Sequence, residues 1–526
     1  MDKQTKKPEK KSINRNIASS ITFSLLARGF SFFQSVAVSW QYGAGRSTDI
    51  FYFTIAFIAS CTAICTTINR HVVVPNYIRL RDGNSEDQAM RFANFVFAVY
   101  ISLGTLAVAV MMAFPVRIFS GLSQFGTDTL ILHRPVLSFT IPTLLLFAVN
   151  SLITDLFTAY KHFTMPMVVD MLKSVLVIAL TLLPWTRGSV VHLAQTMLAA
   201  HVVQFLFLAV AMNKVLQWKP VLGKVPMEKK VGSNVAYVIV GQVVAFFAEM
   251  VIMHLISGFD GGVYTSMEYA LKVNTVVATV VISQFTTIVG IQIIEHYNAG
   301  EFDKLNSVFG NYMRAGFFVI APACFALSLC ANPLMSLLFE RGRFGAEAVQ
   351  TTAQFFSVFI LIIPFTLLGE FVNRLVIAQQ MQHLSVIWKI VLNALIMALL
   401  FFFVRGFGFL GAPLGQFAGY VLYTVFLFAV MRKHFPYIQN EKGLVVFLLK
   451  CLVLNVTLLF GFRYLLGGLL AAGSTSGKIT AIAVSGLVYI LAYIGISCIP
   501  GVFLSEIKQV LGGLRQKRSS QKQAID

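Results

Sequence analysis

The sequence predicts an all-α polytopic membrane protein with about 14 transmembrane helices, arranged as two pseudo-symmetric six-helix lobes plus two C-terminal helices. Three observations predict it. Only 12% of the 526 residues are charged and 57% are hydrophobic, whereas soluble domains carry about 25% charged residues. Apolar runs of about twenty residues, long enough to cross a bilayer as a helix, recur from end to end. The polar stretches between them are short and carry clusters of Lys and Arg, which is how cytoplasmic loops are marked.

The chain opens on a basic tail, MDKQTKKPEKKS. It does not read as a signal peptide, because the apolar run that follows is too long and lacks a small-residue cleavage site. Apolar runs then fall near 20–41, 48–69, 92–114, 135–159, 164–185, 189–213, 232–257, 263–294, 313–333, 347–379, 383–404, 411–431, 443–466 and 478–500. An even count returns the C-terminus to the side of the N-terminus. Basic clusters at Lys3–Arg15, Arg70–Arg91, Lys214–Lys230, Arg432–Lys433 and Lys508–Lys522 place both termini in the cytoplasm. The net charge of +19 therefore implies anionic lipid headgroups as partners and no nucleic acid. Cys61, Cys65, Cys324, Cys330, Cys451 and Cys498 lie in or beside apolar runs, so neither disulfides nor a metal site is expected.

The chain repeats internally. Asp155, Ala159, Asp170 and Ala179-Leu180 precede Arg374, Ala378, Lys389 and Ala398-Leu399 by about 219 positions, and Phe125 and Asp128 precede Phe344 and Glu347 by the same offset. YGAGRSTDIFYF after the first run is echoed by SGFDGGVYTSMEY after the seventh. An even number of helices per half makes the repeat parallel, about an axis normal to the membrane. The expected organisation is a cytoplasmic tail (1–17), an N-lobe (18–230), a C-lobe (231–434), a helix pair outside the repeat (435–503) and a cytoplasmic C-terminal tail (504–526).

Charges inside apolar runs mark function, because each costs several kcal/mol unless it is paired or faces a cavity. Asp170 and Lys173, Glu268 and Lys272, and Glu370 and Arg374 are three or four residues apart, so each pair shares a helix face. For Asp170–Lys173 and Glu370–Arg374 this reads as self-neutralisation. Arg28 has no acid three or four residues away, so its partner is Asp49, Glu249 or the phosphate of a ligand. The turn Leu337–Gln354, LLFERGRFGAEAVQTTAQ, falls on the outer side against the charge trend, which gives Arg341 and Arg343 around Gly342 a task.

That turn, with its Phe-x-Arg-Gly-x-Phe pattern followed by Val349 and Thr352-Ala353, resembles the MurJ/MviN family of lipid II flippases, within the multidrug/oligosaccharidyl-lipid/polysaccharide exporter superfamily. So do Arg28 with Gly43–Asp49 and Phe51-Tyr52-Phe53, and the Gly-rich run Gly406–Gly419. The resemblance covers nearly the whole chain. It implies a flippase that carries a polyprenyl-diphosphate-linked sugar, the lipid II of peptidoglycan synthesis, from inner to outer leaflet by alternating access. It further implies cations of the first, second and eighth runs around the diphosphate. Arg28 matches the first of these, and Lys272 stands where the eighth run normally carries Arg. The substrate-contacting set is then Arg28, Lys272, Asp49, Arg70 and Glu249, and the gating or structural set Arg46, Glu268, Arg341, Arg343, Glu370 and Arg374.

The chain departs from the family pattern. Gln34-Ser35 replaces an expected Arg-Asp, and the middle of the second run, Ile58–Ala63, is neutral, with Arg70 and His71 the nearest cations. These changes leave two alternatives: another undecaprenyl-linked glycan (O-antigen or exopolysaccharide), or a cation or drug antiporter using Asp155, Asp170 and Glu249. No GxxxxGK phosphate loop occurs, and the nine histidines show no metal or nucleophile spacing. The expectation is a transporter of the bacterial inner membrane, not an enzyme. It needs no cofactor, is driven by membrane potential or an ion gradient, and its partners are the lipid substrate, membrane lipids and cell-envelope synthesis enzymes.

Overall fold

The structure is a computed structural model that describes residues 10–83, 85–183, 188–221, 223, 229–439, 441–471, 473–500 and 503. The basic tails at 1–9 and 504–526 lie outside the described residues. Among those residues the chain is helical without strands, as a bilayer demands of a backbone that must satisfy its own hydrogen bonds.

Each of the apolar runs read from the sequence falls on a helical stretch. In chain order these are α1 (Lys10–Tyr42), α2 (Arg46–Gly83), α3 (Glu86–Ala113), α4 (Arg134–Ala159), α5 (Thr164–Thr181), α6 (Val190–Leu216), α7 (Lys229–Ser257), α8 (Val263–Asn298), α9 (Phe302–Leu329), α10 (Ala346–Ala378), α11 (Gln382–Phe407), α12 (Gly411–His434), α13 (Glu441–Leu465) and α14 (Thr475–Ser497). Among the described residues, 11 stretches are long and apolar enough to cross a membrane, α11 and α12 running together as one of them.

The chain divides into two compact units: Met1–Thr265 with Arg341–Phe344, and Ser266–Glu340 with Gly345–Asp526. The division comes at Thr265, one helix later than the repeat boundary at 230/231, because α7 packs on α2 and stays with the first unit.

In the first unit, α2, α3 and α4 enclose a core of Tyr77, Phe92, Leu152 and Leu156. Ile153, Phe157, Val169 and Leu208 seal α4 against α5 and α6. Helix α4 is interrupted by a turn at Ile141 and Pro142, where the ring removes a donor and the helix restarts at Thr143. In the second unit, α10 is interrupted at the matching place by a tight 3-10 turn, Ile360–Ile362, ahead of Pro364. A short helix with an early proline also precedes each: Pro115–Leu122 in one unit, Ala331–Phe339 in the other. The repeat therefore extends to the breaks in the helices.

The Gly-rich run has a packing explanation. Gly411, Gly415 and Gly419 recur every four residues along α12; a Cβ would strike the Phe403–Val404 backbone at Gly411 and the Ile396 side chain at Gly419, and would press within 3.3 Å of Leu400 at Gly415. Small residues at this spacing let two membrane helices touch backbone to backbone. Beside them, Phe325 and Leu329 of α9 pack on Tyr489 of α14, which anchors the C-terminal pair to the second unit.

Candidate functional site

The first unit holds a cation whose Nε has no partner among the described residues. Arg28 is half-buried midway along α1, and its Nε is shielded from solvent with no hydrogen-bond partner among the described residues. Of the two acids offered as its counter-ion, Glu249 of α7 is exposed, whereas Asp49 is closed off. Asp49 is only 1% exposed; its carboxylate accepts from Gly262 N at 2.7 Å, Thr265 N at 2.8 Å and Thr265 Oγ1 at 2.7 Å. These donors lie at the start of α8, so Asp49 of α2 caps the positive end of another helix. Asp49 thereby holds the start of α8 to α2.

Around Asp49 the YGAGRSTD turn is tightly tied. Gly43 takes φ +68, and a Cβ there would strike the backbone of Arg343. Thr48 Oγ1 accepts from Gly45 N at 2.8 Å and donates to Gly45 O. Arg46 donates to Ser257 O at 3.3 Å and lies over the Phe125 ring at 5.7 Å, while Ser47 Oγ is 2.7 Å from His133 Nε2. The turn Arg341–Phe344 belongs to this same unit. Gly342 has φ +59, as a left-handed position requires of glycine. Arg343 N donates to Trp40 O at 3.0 Å, and its guanidinium covers Gly188 closely enough to exclude a Cβ. Arg343 therefore fastens the turn to the end of α1.

A buried polar network, which sequence reasoning saw only in part, occupies the far end of α2. There the helix widens into one π turn, Asn69–Val73, a distortion that recurs at functional positions. Asn69 is fully buried; its amide donates to Asp155 Oδ2 at 3.2 Å and Ser151 Oγ at 3.4 Å, and its carbonyl accepts from Tyr100 at 2.8 Å. Arg70 Nε donates to Asp155 Oδ1 at 3.4 Å, with the Asp155 side chain 6% exposed and that of Arg70 69% exposed. Arg70 was expected to contact substrate. It keeps an open guanidinium edge but is first the partner of Asp155. Asp170 pairs with Lys173 at 3.6 Å, as the i,i+3 spacing predicted, and also accepts from Gln204 at 2.7 Å. The polar triplet Asn69-Arg70-His71 closing an apolar run was the available signal for the network; Tyr100 gave none.

In the second unit Lys272 is half-buried on α8, with Nζ 5.1 Å from the centre of the Tyr269 ring. Glu268 lies one turn earlier, also half-buried. Glu370 and Arg374 do not form the expected self-neutralised pair. No ion pair joins them, and Arg374 Nε is buried without a hydrogen-bond partner among the described residues, close to Gly290, where a Cβ would come within 3.0 Å of the arginine chain. Helix spacing alone does not make the two rotamers converge, and the glycine gap on α8 draws the arginine inward.

Bundles of membrane-length helices, a polar network buried within the first unit, and arginines on α1 and α10 whose Nε atoms have no partner among the described residues define a multi-pass membrane protein. Among solved structures, the fold is similar to one described as "Lipid II flippase MurJ, inward closed conformation", with TM-score 0.72 and 17% identity, covering 91% of this chain and 99% of that one. It is also similar to an inward-facing multidrug resistance MATE family transporter of the MOP superfamily, with TM-score 0.61 and 14% identity, covering 79% and 94%.

The family model for the lipid II flippase MurJ matches residues 39–481, and the chain belongs to that family. A probable lipid II flippase MurJ of Rickettsia prowazekii is 23% identical over 234 residues, spanning 44% of this chain and 46% of that protein. The lipid II flippase MurJ of Burkholderia cenocepacia is 23% identical over 445 residues, spanning 80% and 84%. The protein is thus a membrane flippase and not an enzyme.

Proposed function

We propose that this chain translocates a polyprenyl-diphosphate-linked saccharide, of the lipid II type used in peptidoglycan synthesis, across the bacterial inner membrane by alternating access. Arg28 and Lys272 are its diphosphate-binding cations. The observation that carries this reading is the uncommitted guanidinium of Arg28 in an apolar helix. Burial of a charge with no counter-ion is costly, and a ligand diphosphate removes the cost through charge-assisted, bidentate hydrogen bonds. Lys272 contributes a point charge rather than a fork. Of the acids the antiporter alternative would use, Asp155 and Asp170 already accept from donors inside the first unit, which argues against that alternative, while Glu249 is the exposed one.

With both termini in the cytoplasm, an inside-negative potential pushes the anionic headgroup outward by about 2.3 kcal/mol per charge per 100 mV. That supplies a driving force without a cofactor. The exposed apolar faces of α13 (Val446, Leu449, Val453, Phe460) and α14 (Leu487, Leu491, Ile494) suit the long isoprenoid tail. The enzymes that make and polymerise the lipid-linked precursor are the expected partners. The neutral centre of α2, Ile58–Ala63, favours a second reading, in which the sugar belongs to another undecaprenyl-linked glycan.

The test is complementation in a bacterium depleted of its own lipid II flippase, comparing wild type, Arg28→Ala and Lys272→Ala at matched membrane levels. Wild type rescues and Arg28→Ala fails if the reading holds, with Lys272→Ala weaker than wild type. Absence of rescue by a well-inserted wild type excludes lipid II and selects the other glycan. Rescue that survives both substitutions removes the proposed cations.

A further inference from the structure

The second unit contains a polar cavity that the cations of α1 and α8 do not account for. It measures about 680 Å³ and lies where the C-terminal end of α9, the short helix Ala331–Phe339, the start of α10, the end of α13 and the start of α14 converge. That volume suits a small-molecule headgroup. The wall carries three charges: Glu340, Lys478 and Arg463. Lys478 Nζ bonds Glu340 Oε2 at 2.7 Å, and Ser336 donates to the same oxygen. These bonds hold the Glu340 carboxyl below the ordinary carboxylate range, the Lys478 bond contributing most. Glu340 is thus an anion matched to Lys478.

Arg463 is left over. It makes no hydrogen bond or ion pair among the described residues, so the wall keeps one uncompensated positive charge in a planar, forked form suited to phosphate. Around it the side-chain amides of Asn332, Gln350 and Gln354 line the same space and make no hydrogen bond among the described residues. The first turn of α10 contributes backbone N–H groups with no side-chain cap at Gly345. One guanidinium, three open amides and an uncapped helix start are a donor-rich set for a ligand that combines phosphate with hydroxyl or amide groups.

We propose that this cavity binds the phosphate-bearing headgroup of a membrane lipid on the outer face of the bilayer, with Arg463 on the phosphate and Gln350 and Gln354 on neighbouring hydroxyl or amide groups. Placement on the outer face rests on the cytoplasmic termini of the reading above. The headgroup comes either from the translocated lipid-linked saccharide after release or from a bulk anionic glycerophospholipid.

The full chain, with p-benzoylphenylalanine replacing Leu470 in the cavity wall, is reconstituted and irradiated with 32P-labelled lipid II in one arm and 32P-labelled phosphatidylglycerol in the other. A parallel protein carries the photoprobe at Ala27, beside Arg28. Labelling at Leu470 that drops about tenfold in Arg463→Gln and is partly kept in Arg463→Lys supports the site. The arm that labels more strongly names the source. Labelling at Leu470 by phosphatidylglycerol alone, with no lipid II at Ala27, keeps this site while refuting the substrate reading. No labelling at Leu470 in either arm, or labelling unmoved by Arg463→Gln in protein of wild-type melting temperature, overturns the proposal.

Discussion

Asp155 and Arg374 stand at matching places in the two halves of the repeat, yet their surroundings are opposites. Asp155, in α4, is enclosed by Asn69, Arg70 and the Tyr100 hydroxyl that orients Asn69. Arg374, in α10, is enclosed by apolar helix and a glycine gap, and its Nε has no partner among the described residues. The same backbone position therefore carries a satisfied anion in one unit and an unsatisfied cation in the other. Duplication supplies equivalent scaffolds, and the charge placed on each decides whether it holds the unit together or waits for something else.

The largest effect is expected where saturation is most complete. Asp49→Ala leaves three donors at the start of α8 without an acceptor in a buried place and should lower stability by about 3 kcal/mol. Asp49→Asn, which retains one acceptor oxygen, should cost less. Thermal unfolding of the purified protein in detergent measures both, and a melting curve unmoved by Asp49→Ala would disprove the cap. Asp155→Ala should cost about 2 kcal/mol, because Asn69 loses its acceptor while the exposed Arg70 returns to solvent. An effect at Asp155 no greater than that of a surface Asp→Ala control would erase the contrast between the units.

The smallest effect on stability is expected at Arg374. Replacing a half-buried cation whose Nε lacks a partner by an apolar side chain of similar length is often neutral or favourable, so Arg374→Met should change stability by no more than about 1 kcal/mol and in the stabilising direction. If the same variant fails to rescue flippase-depleted cells, the orphan charge belongs to transport. If it rescues fully, the charge is incidental to function and only the Asp155 side of the comparison carries meaning.

Much of this architecture was legible because membrane helices announce themselves by length and apolar content. The helix breaks at Ile141–Pro142 and Ile360–Ile362 were not read from the sequence, since an apolar run stays apolar through a proline that cannot donate a backbone hydrogen bond. Arg28 was legible for a related reason: a lone cation in an apolar run has few destinations. Asp170–Lys173 was read correctly because one helix sets their separation. What spacing could not reach was the choice among partners on different helices. Nothing in the sequence joins Asp49 to the start of α8, and Glu370 and Arg374 share a face without sharing a bond. The donor-rich cavity around Arg463 was invisible because its wall is assembled from residues more than a hundred positions apart in the chain.

The fastening of Arg341–Phe344 to Trp40 and Gly188 bears on how the protein is made. The first unit includes four residues that emerge from the ribosome only after α8 and α9. At about 5–20 residues per second, the end of α1 waits about 15–60 s for its last contacts while translation continues. During that interval Gly43 and Gly188 face a place that only the arriving arginine turn will fill. Biogenesis of the first half is thereby tied to successful synthesis of the second, so a truncated nascent chain retains an incomplete surface that quality-control proteases can recognise.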